Sequence, residues 1–373
     1  MSKASKKDPG FRITRPTLIV DKNRVLGNIE RMVTKTTRGH TLFRPHFKTH
    51  QSSEIGRWFR DFGVSAIAVS SVDMAVYFAE NGWSDITIAF PVNVLETERI
   101  AQLAEKVSLG VLVDSEIAAS ALHKRLSVPV DVWIKIDAGY GRVGLPWHQH
   151  EQIASLAREI QNFRLLNCAG ILAHNGHTYQ ARTTDDVRRI HAECVSRLGL
   201  VKNALNAAGI VPCRISIGDT PSCSLVDDFT GIDEIRPGNF VFYDITQASL
   251  GSCTDDEIAV AVACPIVGKY EHRGHLAVYG GAVHLSKETI LDKSNRAVYG
   301  YVSWWDNQSL GSPDYEAAVV SVSQEHGIVQ VTEERLKAVS IGDVPLVFPV
   351  HSCLTCNLYS EYRTLDGEIL RRM

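Results

Sequence analysis

The sequence predicts an α/β protein made of a (β/α)₈, TIM-like barrel and a second, mostly antiparallel β domain. In the first two thirds of the chain, short apolar runs alternate with longer segments of helical spacing, which is typical of βαβ units around a parallel sheet. In the last third the helical periodicity fades and strand-like runs follow one another. We therefore expect a barrel over residues 22–249 and a β domain formed by residues 1–21 together with 250–373.

Eight apolar runs have the length and composition of buried parallel strands, and eight such strands suit a closed barrel of ~250 residues. These runs are Leu42–Pro45, Ala66–Ser70, Ile86–Phe90, Leu109–Val113, Val130–Ile136, Cys168–Ala173, Arg214–Ile217 and Glu234–Phe242. Apolar residues between the runs recur at helical spacing, as at Ile55, Trp58 and Phe59 and again at Ile153 and Leu156. An open, doubly wound sheet is the alternative arrangement.

Shorter strand-like runs predict the β domain. They are Ala259–Val267, Leu276–Tyr279, Ala317–Val322, Ile328–Val331 and Leu346–Pro349. Turn signals such as Arg273-Gly274 separate them. The early strand Leu18–Val20 precedes the first barrel helix, and we expect it to pair with this domain.

The composition is that of an ordinary globular protein, with 45% hydrophobic and 22% charged residues among 373. A net charge of −3 gives no electrostatic reason to expect nucleic acid or an anionic membrane as a partner. No apolar run approaches the ~18 residues of a membrane span. The basic segment Met1–Gly10 lacks the apolar stretch of a signal peptide. Eight cysteines are too few for a disulfide scaffold, so we expect reduced thiols in the cytoplasm.

A lysine follows the first predicted barrel strand. Within Arg44–His50, Lys48 stands at the carboxyl end of a strand, where barrel enzymes place their catalytic groups. Lysine forms Schiff bases when burial or neighbouring cations lower its pKa, and Arg44, His46 and His50 could supply those cations. Taken alone, the segment is better interpreted as a surface loop.

Gly139, Gly141 and Gly144 form a G-x-G-x-x-G between a predicted strand and helix, the spacing of a dinucleotide-binding loop. In such folds an acidic residue closes the next strand about 20 residues later. Here that strand closes at Leu172–His174 without an acid. We therefore interpret the glycine spacing as accidental, which disfavours an NAD-dependent dehydrogenase.

His174, His177 and Tyr179 follow the sixth predicted strand. They could ligate a metal, act as acid and base, or fill a polar loop, and alone the loop is the better interpretation. Small and hydroxyl residues follow the seventh and eighth strands, in Gly218–Ser222 and Arg236–Asn239, where barrels commonly bind phosphate. A plain Asx-type turn is the alternative for the first segment, but the joint position of the two favours phosphate.

His351 and Cys353 lie two residues apart in the predicted β domain. An extended segment would place both side chains on one face. An imidazole and a thiolate suit zinc and leave positions open for water or substrate. Cys353-x-x-Cys356 would also suit half of a zinc ribbon, but the chain has no second cysteine pair at that spacing. A buried cysteine beside a hydrogen-bonded histidine is the remaining alternative.

The motifs occur in a fixed order between Pro16 and Leu358. They read Arg-Pro-His-x-Lys-Thr-His, Lys-x-Asp-x-Gly-x-Gly-Arg-x-Gly, His-x-Gly-His-x-Tyr, Gly-x-Thr-Pro, Glu-x-Arg-Pro-Gly-Asn-x-Val-Phe, Gln-Glu-His-Gly and His-x-Cys-x-Thr-x-Asn-Leu. In this order they resemble the D-threonine aldolase / D-serine dehydratase family of pyridoxal-phosphate enzymes, which are relatives of alanine racemase.

The resemblance implies a role for individual residues. Lys48 matches the lysine that holds pyridoxal phosphate, and Lys48 and His174 are expected to act in catalysis. Arg142 is expected near the phenolate oxygen of the cofactor and Tyr179 near its pyridine nitrogen. The cofactor-binding positions implied in this way are Lys48, His46, Arg142, His174, Tyr179, Gly218, Asp219, Thr220, Arg236, Gly238 and Asn239.

His351 and Cys353 match the metal ligands of the family, and we expect the metal to be divalent and to be zinc. Aldolases of the family tend to carry His-x-Asp at this place and D-serine dehydratases His-x-Cys, so Cys353 favours a dehydratase. The chain departs from the family at Asn175, where proline is usual, and at Asp219, where serine is usual. It also departs over Tyr279–Ser286, where Asp-x-Gly-Ser-Lys-x-x-Ser is frequent. These departures leave the substrate open.

The resemblance therefore implies a metal-assisted lyase that removes water from 3-hydroxy D-amino acids, as D-serine dehydratase does, to give a keto acid and ammonia. One alternative is a D-threonine aldolase, which breaks the Cα–Cβ bond. Another is an amino-acid racemase, which would need a second base and no metal. A non-catalytic pyridoxal-phosphate carrier usually lacks a β domain. We expect a small amino acid as the substrate, no nucleic-acid or membrane partner, and a homodimer.

Overall fold

The computed structural model describes residues 12–211, 213–306 and 308–373, so the basic segment Met1–Gly10 lies outside the described residues. The chain divides into two compact units. The barrel unit is Arg31–Gly238, and the β unit combines the described residues up to Glu30 with Asn239–Met373. The domain boundaries expected from the sequence stay a prediction. None of the described helices has the length and apolar character needed to cross a membrane.

The strands of the barrel region and the strand that precedes it are β1 Thr17–Val20, β2 Leu42–Phe43, β3 Ala66–Val69, β4 Asp85–Pro91, β5 Ser108–Val113, β6 Val130–Asp137, β7 Leu145–Pro146, β8 Leu166–Leu172, β9 Arg214–Ile217 and β10 Glu234–Ile235. The strands that follow are β11 Val260–Ala263, β12 Ile266–Tyr270, β13 His275–Tyr279, β14 Ile290–Leu291, β15 Ala297–Val298, β16 Gly300–Ser303, β17 Asp314–Val322, β18 His326–Gln330, β19 Leu346–Pro349, β20 Glu361–Thr364 and β21 Ile369–Arg371.

The α-helices are α1 Lys22–Arg38, α2 Ser53–Asp61, α3 Val72–Glu80, α4 Thr97–Ala104, α5 Glu116–His123, α6 His150–Asn162, α7 Thr184–Ala207, α8 Thr220–Leu225, α9 Ile245–Ser249, α10 Ala282–Leu285, α11 Glu333–Ala338 and α12 Ser352–Cys356. Helix α2 shows why these segments are helical. The Ser52 hydroxyl accepts the Ile55 N–H and so caps the first turn, while Ile55, Trp58 and Phe59 form the buried face that the spacing predicts.

The barrel unit is built on a parallel sheet with the strand order β2-β10-β9-β8-β6-β5-β4-β3, and β7 pairs with β6. The two ends of this order also meet. The Phe47 N–H donates to the Ala68 carbonyl and the Ala68 N–H to the Pro45 carbonyl, both at 2.9 Å. These bonds bring the sheet round into a barrel, which confirms the predicted fold class and excludes the open sheet.

The last predicted barrel run, Glu234–Phe242, is only partly a strand. Strand β10 ends at Ile235, Pro237 has no N–H to donate, and Asn239–Val241 forms a 3₁₀ turn. Because all barrel strands run in parallel, their carboxyl ends lie at one edge. The segments that follow β2, β6, β8, β9 and β10 therefore share that edge.

The β unit contains a mostly antiparallel sheet with the order β12-β13-β18-β17-β16-β19-β11-β1-β20-β21. Strand β1 pairs with β11 antiparallel and with β20 in parallel, so the early strand belongs to this unit as predicted. The predicted run Ala259–Val267 instead forms the two strands β11 and β12. The break falls at Cys264–Pro265, because proline cannot continue a ladder of hydrogen bonds.

Candidate active site

Lys48 lies on the segment that follows β2, and its side chain is exposed. Its backbone N–H donates to Nδ1 of His46 at 3.3 Å. A Cβ atom on Gly238 would come within 2.9 Å of the His46 carbonyl oxygen, so the chain after β10 packs closely against this segment only because residue 238 is a glycine. The carboxyl ends of β2 and β10 thus hold Lys48 in a fixed backbone setting.

His174 follows β8, and its Nδ1 contacts the carbonyl oxygen of Gly218 after β9. Since a carbonyl only accepts, the proton of this ring lies on Nδ1 and Nε2 carries the lone pair. Burial, followed by the charge of Lys48, lowers the pKa of His174 well below its usual value. The same two causes lower the pKa of His46. Lys48 therefore lies near two histidines that are neutral at pH 7.

Positive charge exceeds negative charge around these histidines. Burial, together with the cations of Arg236 and Arg142, lowers the pKa of Lys135 to about 7. The Lys135 Nζ donates to the carbonyl of Ile136 at 2.9 Å. Arg142 is exposed, with its guanidinium 5.2 Å from the ring centre of Tyr140. We call Lys48, His46, His174, Lys135 and Arg142 the lysine site.

None of the three cationic neighbours that the sequence predicted for Lys48 is an unpaired cation, and His46 is neutral. Arg44 is buried and forms ion pairs with Glu234 and Asp85, at 2.6 Å each. His50 packs edge-on against Phe47, and burial lowers its pKa to about 3, so its ring is neutral. The cations whose charges act on His174 together with that of Lys48 are instead Lys135 on β6 and Arg142 in the loop that follows β6.

The predicted phosphate segment after β9 begins helix α8. The Asp219 carboxylate caps this helix by accepting the Ser222 N–H at 2.8 Å, and it also accepts the Thr178 hydroxyl at 2.9 Å. Burial raises the pKa of Asp219 to about 6. Gly218 packs against the backbone of Arg236, and Thr220 is buried. The Asx-type cap is therefore present, and binding of phosphate by this segment stays a prediction.

Arg236 lies inside the barrel. Its Nε donates to the Ser216 hydroxyl at 2.7 Å and its Nη2 to the Ala173 carbonyl at 2.8 Å. Burial lowers its pKa to about 10 despite the opposing effect of Glu234. Its described contacts are thus with the barrel wall.

Tyr179 lies on the 3₁₀ turn Gly176–Gln180 after β8. At the start of this turn the ring of Tyr140 packs on Gly176, where a Cβ would come within 2.4 Å of it. The same ring stacks on His177, with 5.9 Å between the ring centres. This contact connects the segments after β6 and β8.

The glycines of the G-x-G-x-x-G adopt positive φ angles of 128°, 77° and 105°. The Asp137 carboxylate accepts the N–H groups of Gly139 and Gly141 at 2.9 and 3.1 Å. A Cβ on Gly144 would meet Lys135 at 2.8 Å. The glycines therefore serve a tight loop beside Lys135 within a barrel.

His351 and Cys353 lie at the start of helix α12, so the predicted extended segment is wrong. Only His351 is extended, as the residue before the helix, and Cys353 lies in the first turn. Burial opposes a charge on His351, but the Cys353 thiolate and the Asp244 carboxylate raise its pKa to about 11. Cys353 and Asp244 thus place negative charge around His351, which a cation can neutralise. Among the described residues, no group of three or more His, Cys, Asp or Glu side chains is arranged to hold a metal.

Sequence reasoning missed two groups. Lys135 carries a signal, because a lysine in an otherwise apolar strand is unusual, but its closeness to Lys48 depends on the barrel. Oδ2 of Asp244 lies 3.3 Å from Nδ1 of His351. Because the two residues are far apart in the chain, no sequence pattern indicates this contact.

Two family models match the chain. The first is described as "Alanine racemase, N-terminal domain" and matches residues 20–245. The second is described as "Putative serine dehydratase domain" and matches residues 259–365.

Curated relatives match over nearly their whole length. A D-threo-3-hydroxyaspartate dehydratase from Delftia sp. (strain HT23) is 26% identical over 377 residues, which is 97% of this chain and 97% of that protein. A D-serine dehydratase from Dictyostelium discoideum is 27% identical over 380 residues, with 95% and 94% of the two chains covered.

Solved structures of similar proteins have the same fold. That of the Delftia dehydratase has a TM-score of 0.90 at 25% identity and covers 97% of this chain and 98% of its own. A mutant of a D-threo-3-hydroxyaspartate dehydratase, described as its metal-free form, has a TM-score of 0.91 at 24% identity, with 98% and 99% covered. The chain therefore belongs to the alanine racemase-like family of pyridoxal-phosphate enzymes that includes the D-serine dehydratases and D-threonine aldolases.

Proposed function

We propose that this protein is a pyridoxal-phosphate-dependent, metal-assisted lyase that removes water from a 3-hydroxy D-amino acid, giving a 2-oxo acid and ammonia. The observation that carries the proposal is the lysine site, where an exposed lysine lies among neutral histidines and excess positive charge. The names of the two dehydratases that match along the whole chain support the same reaction.

The lysine site fits the chemical groups of pyridoxal phosphate. The Lys48 amine suits its aldehyde, and the cations of Lys135 and Arg142 suit its phosphate and phenolate. The chemistry that the cofactor supplies when bound is an electron sink for the bonds at the substrate's α-carbon. The contacts proposed for Tyr179, Gly218, Asp219, Thr220, Arg236, Gly238 and Asn239 stay predictions.

We assign proton transfer to Lys48 and the orientation of a hydrogen-bond donor to His174. Lys48 holds the cofactor and, once released from it, accepts the proton from the substrate's α-carbon. His174 cannot donate through Nε2, because its proton is held on Nδ1 by the Gly218 carbonyl. It therefore accepts a hydrogen bond at Nε2 and orients a donor there.

His351 and Cys353 are the residues that we assign to a divalent metal, and their nitrogen and sulfur donors favour zinc. The excess of negative charge around His351 fits a cation. A solved dehydratase is described in a metal-free form, which supports a metal in that relative. Lewis acidity toward the substrate's β-hydroxyl group is the chemistry that such a metal supplies.

A homodimer and a cytoplasmic location complete the proposal. Phe90, Leu95 and Ile117 are large apolar side chains of the barrel unit with 56%, 89% and 78% of their surface exposed, and a contiguous patch of such side chains is typical of surfaces that meet a partner. All eight cysteines are free thiols, as is usual in reducing compartments. Sedimentation at micromolar concentration tests the dimer, and a monomer with full activity contradicts it.

Chelation separates the proposed lyase from its rivals. The purified enzyme should convert D-serine to pyruvate and ammonia, and D-threo-3-hydroxyaspartate to oxaloacetate and ammonia. A chelator should stop turnover, spare the visible absorbance of the bound cofactor, and be reversed by added zinc. His351→Ala and Cys353→Ala should behave like the chelated enzyme, and zinc should not rescue them.

His272→Ala is the matched control, because His272 is an exposed histidine of the same unit and lies outside the motifs that carry the resemblance. It should keep full activity. Glycine and acetaldehyde formed from D-threonine would identify an aldolase. L-serine formed from D-serine by a chelated, fully active enzyme would identify a racemase and overturn the proposal.

A further inference from the structure

Asp244 is a fully buried carboxylate in the β unit. Its Oδ1 accepts the Gln247 N–H at 3.0 Å and so caps helix α9. Its Oδ2 accepts the Asn239 side-chain amide at 2.6 Å, the Ser352 N–H at 2.9 Å and the Ser352 hydroxyl at 3.3 Å. Four donors thus satisfy the two oxygens of this buried carboxylate.

The same oxygen faces His351. Oδ2 of Asp244 lies 3.3 Å from Nδ1 of the imidazole. Since a carboxylate only accepts, Nδ1 carries a proton, and Nε2 is the ring nitrogen that remains for a metal. Histidines that bind metals commonly donate their other N–H to a carboxylate, which fixes the tautomer and the ring orientation.

Asn239 connects this carboxylate to the second proposed ligand. Its side-chain amide nitrogen, which donates to Asp244, also lies 2.9 Å from the Ser352 hydroxyl and 3.6 Å from Sγ of Cys353. One side chain thus contacts both the carboxylate behind His351 and the sulfur of Cys353. The sequence had predicted Asn239 only as a cofactor-binding position.

We propose that Asp244 is the positioning residue of the His351–Cys353 metal pair and that Asn239 couples it to the Cys353 sulfur. The inference rests on the proposed metal site. Asp244 holds the proton of His351 on Nδ1, so Nε2 meets the metal as a neutral ligand. Loss of such a partner typically lowers metal affinity by 10–100-fold.

Asp244→Asn tests this at constant side-chain size, although its NH₂ group also takes an acceptor away from the Asn239 amide and the Ser352 N–H. Its carbonyl can still cap helix α9, which places an NH₂ group where Oδ2 faced the Nδ1 of His351. Nδ1 must then accept, and the ring proton moves to Nε2. We expect the affinity for Co²⁺, measured by competition with a chelator, to fall by roughly 10–100-fold. The visible absorbance of bound pyridoxal phosphate should be unchanged.

Thr246→Val is the matched control. The Thr246 hydroxyl donates to the Val350 carbonyl at 2.8 Å, so this variant loosens the same helix from the residue before His351 without touching the pair. Its Co²⁺ affinity should equal that of the wild type. An equal loss in both variants, or no loss in Asp244→Asn, overturns the inference.

Asn239→Ala provides a second readout that does not depend on the folding of Asp244→Asn. The sulfur-to-cobalt charge-transfer band of the Co²⁺ protein should shift, because Sγ of Cys353 loses a hydrogen-bond donor. An unshifted band with unchanged affinity overturns the inference. If the wild type shows no such band, or Cys353→Ser binds Co²⁺ as tightly, the proposed metal site itself fails instead.

Discussion

Two clusters of charged side chains in the barrel unit differ in their balance of charge: in one the cation is paired with carboxylates, and in the other cations are in excess. In the first, Arg44 is buried and paired with Glu234 of β10 and with Asp85 of β4, and these carboxylates raise its pKa against the effect of burial. In the second, the lysine site, the cations of Lys48, Lys135 and Arg142 depress the pKa of their neighbours.

The difference separates stability from function. A buried cation that is matched by carboxylates on other strands holds those strands together, and its removal leaves a buried charge unpaired. Cations in excess destabilise one another until an anion arrives. The first cluster is therefore part of the barrel wall, and the second is suited to an anionic cofactor.

Removal of Lys48 should give the largest effect. In Lys48→Ala, turnover should fall on the order of 10²–10⁴-fold, and the visible absorbance of bound cofactor should disappear. The free energy of unfolding should stay within about 0.5 kcal/mol of the wild type, because the side chain is exposed.

Lys106→Ala, an exposed lysine of the same unit, should keep both activity and absorbance. A coloured Lys48→Ala protein would contradict the assignment of Lys48.

Removal of Arg44 should act on stability instead. Arg44→Met removes the nearer of the two cations beside the buried Glu234 and leaves only Arg236 at 3.8 Å, which should lower the free energy of unfolding by at most about 3–5 kcal/mol. Urea unfolding at pH 7 measures this. Turnover per folded molecule and cofactor absorbance should be retained.

Arg99→Met is the matched control, because Arg99 pairs with Asp73 at the surface, with 47% and 65% of their side chains exposed. This change should have little effect on stability. If Arg44→Met lost cofactor binding and kept its stability, the assignment of the Arg44 cluster to stability and of the lysine site to cofactor binding would be wrong.

The sequence predicted the barrel because buried parallel strands give continuous apolar runs, and it predicted the position of Lys48 because barrel chemistry follows strand ends. It could not assign different environments to Arg44 and Lys48, because only three residues separate them along the chain. The environment of Arg44 depends on Glu234 and Asp85, which are distant in sequence. Likewise, the link from Asp244 to His351 exists only after folding.

Asp219 belongs to neither cluster, and its buried carboxyl group should make the stability of the protein depend on pH. Burial raises its pKa to about 6 from an ordinary value of 3.8. Between these pH values the folded state binds more protons than the unfolded state, so stability should fall as the pH rises and stay lower above pH 6.

Asp219→Asn should remove this dependence, since an amide can still cap α8. The variant should be more stable than the wild type at pH 7 by at most about 3 kcal/mol, and the two should converge near pH 4. The urea midpoints of the two proteins, measured between pH 4 and pH 7, give the difference in stability. A difference that does not change with pH would contradict the raised pKa of Asp219.

Removal of Arg142 should give the smallest effect on stability and activity, and it tests the excess of cations in the lysine site most directly. Arg142 is exposed and paired only with the face of Tyr140 among its described contacts, so Arg142→Gln should change the free energy of unfolding by about 0.5 kcal/mol or less. Its charge lowers the pKa of His174 and of Lys135. Both pKa values should therefore rise in the variant.

The affinity for pyridoxal phosphate should fall by no more than about 1 kcal/mol, or roughly fivefold, as for one exposed ion pair. Because exposed charges are screened by salt, the loss should shrink as the ionic strength rises, which titration of the apoenzyme at two salt concentrations measures. Arg57→Gln, which removes an exposed arginine on helix α2, should leave the affinity unchanged. An equal loss in both variants would show that net charge, and not the excess of cations beside Lys48, attracts the cofactor.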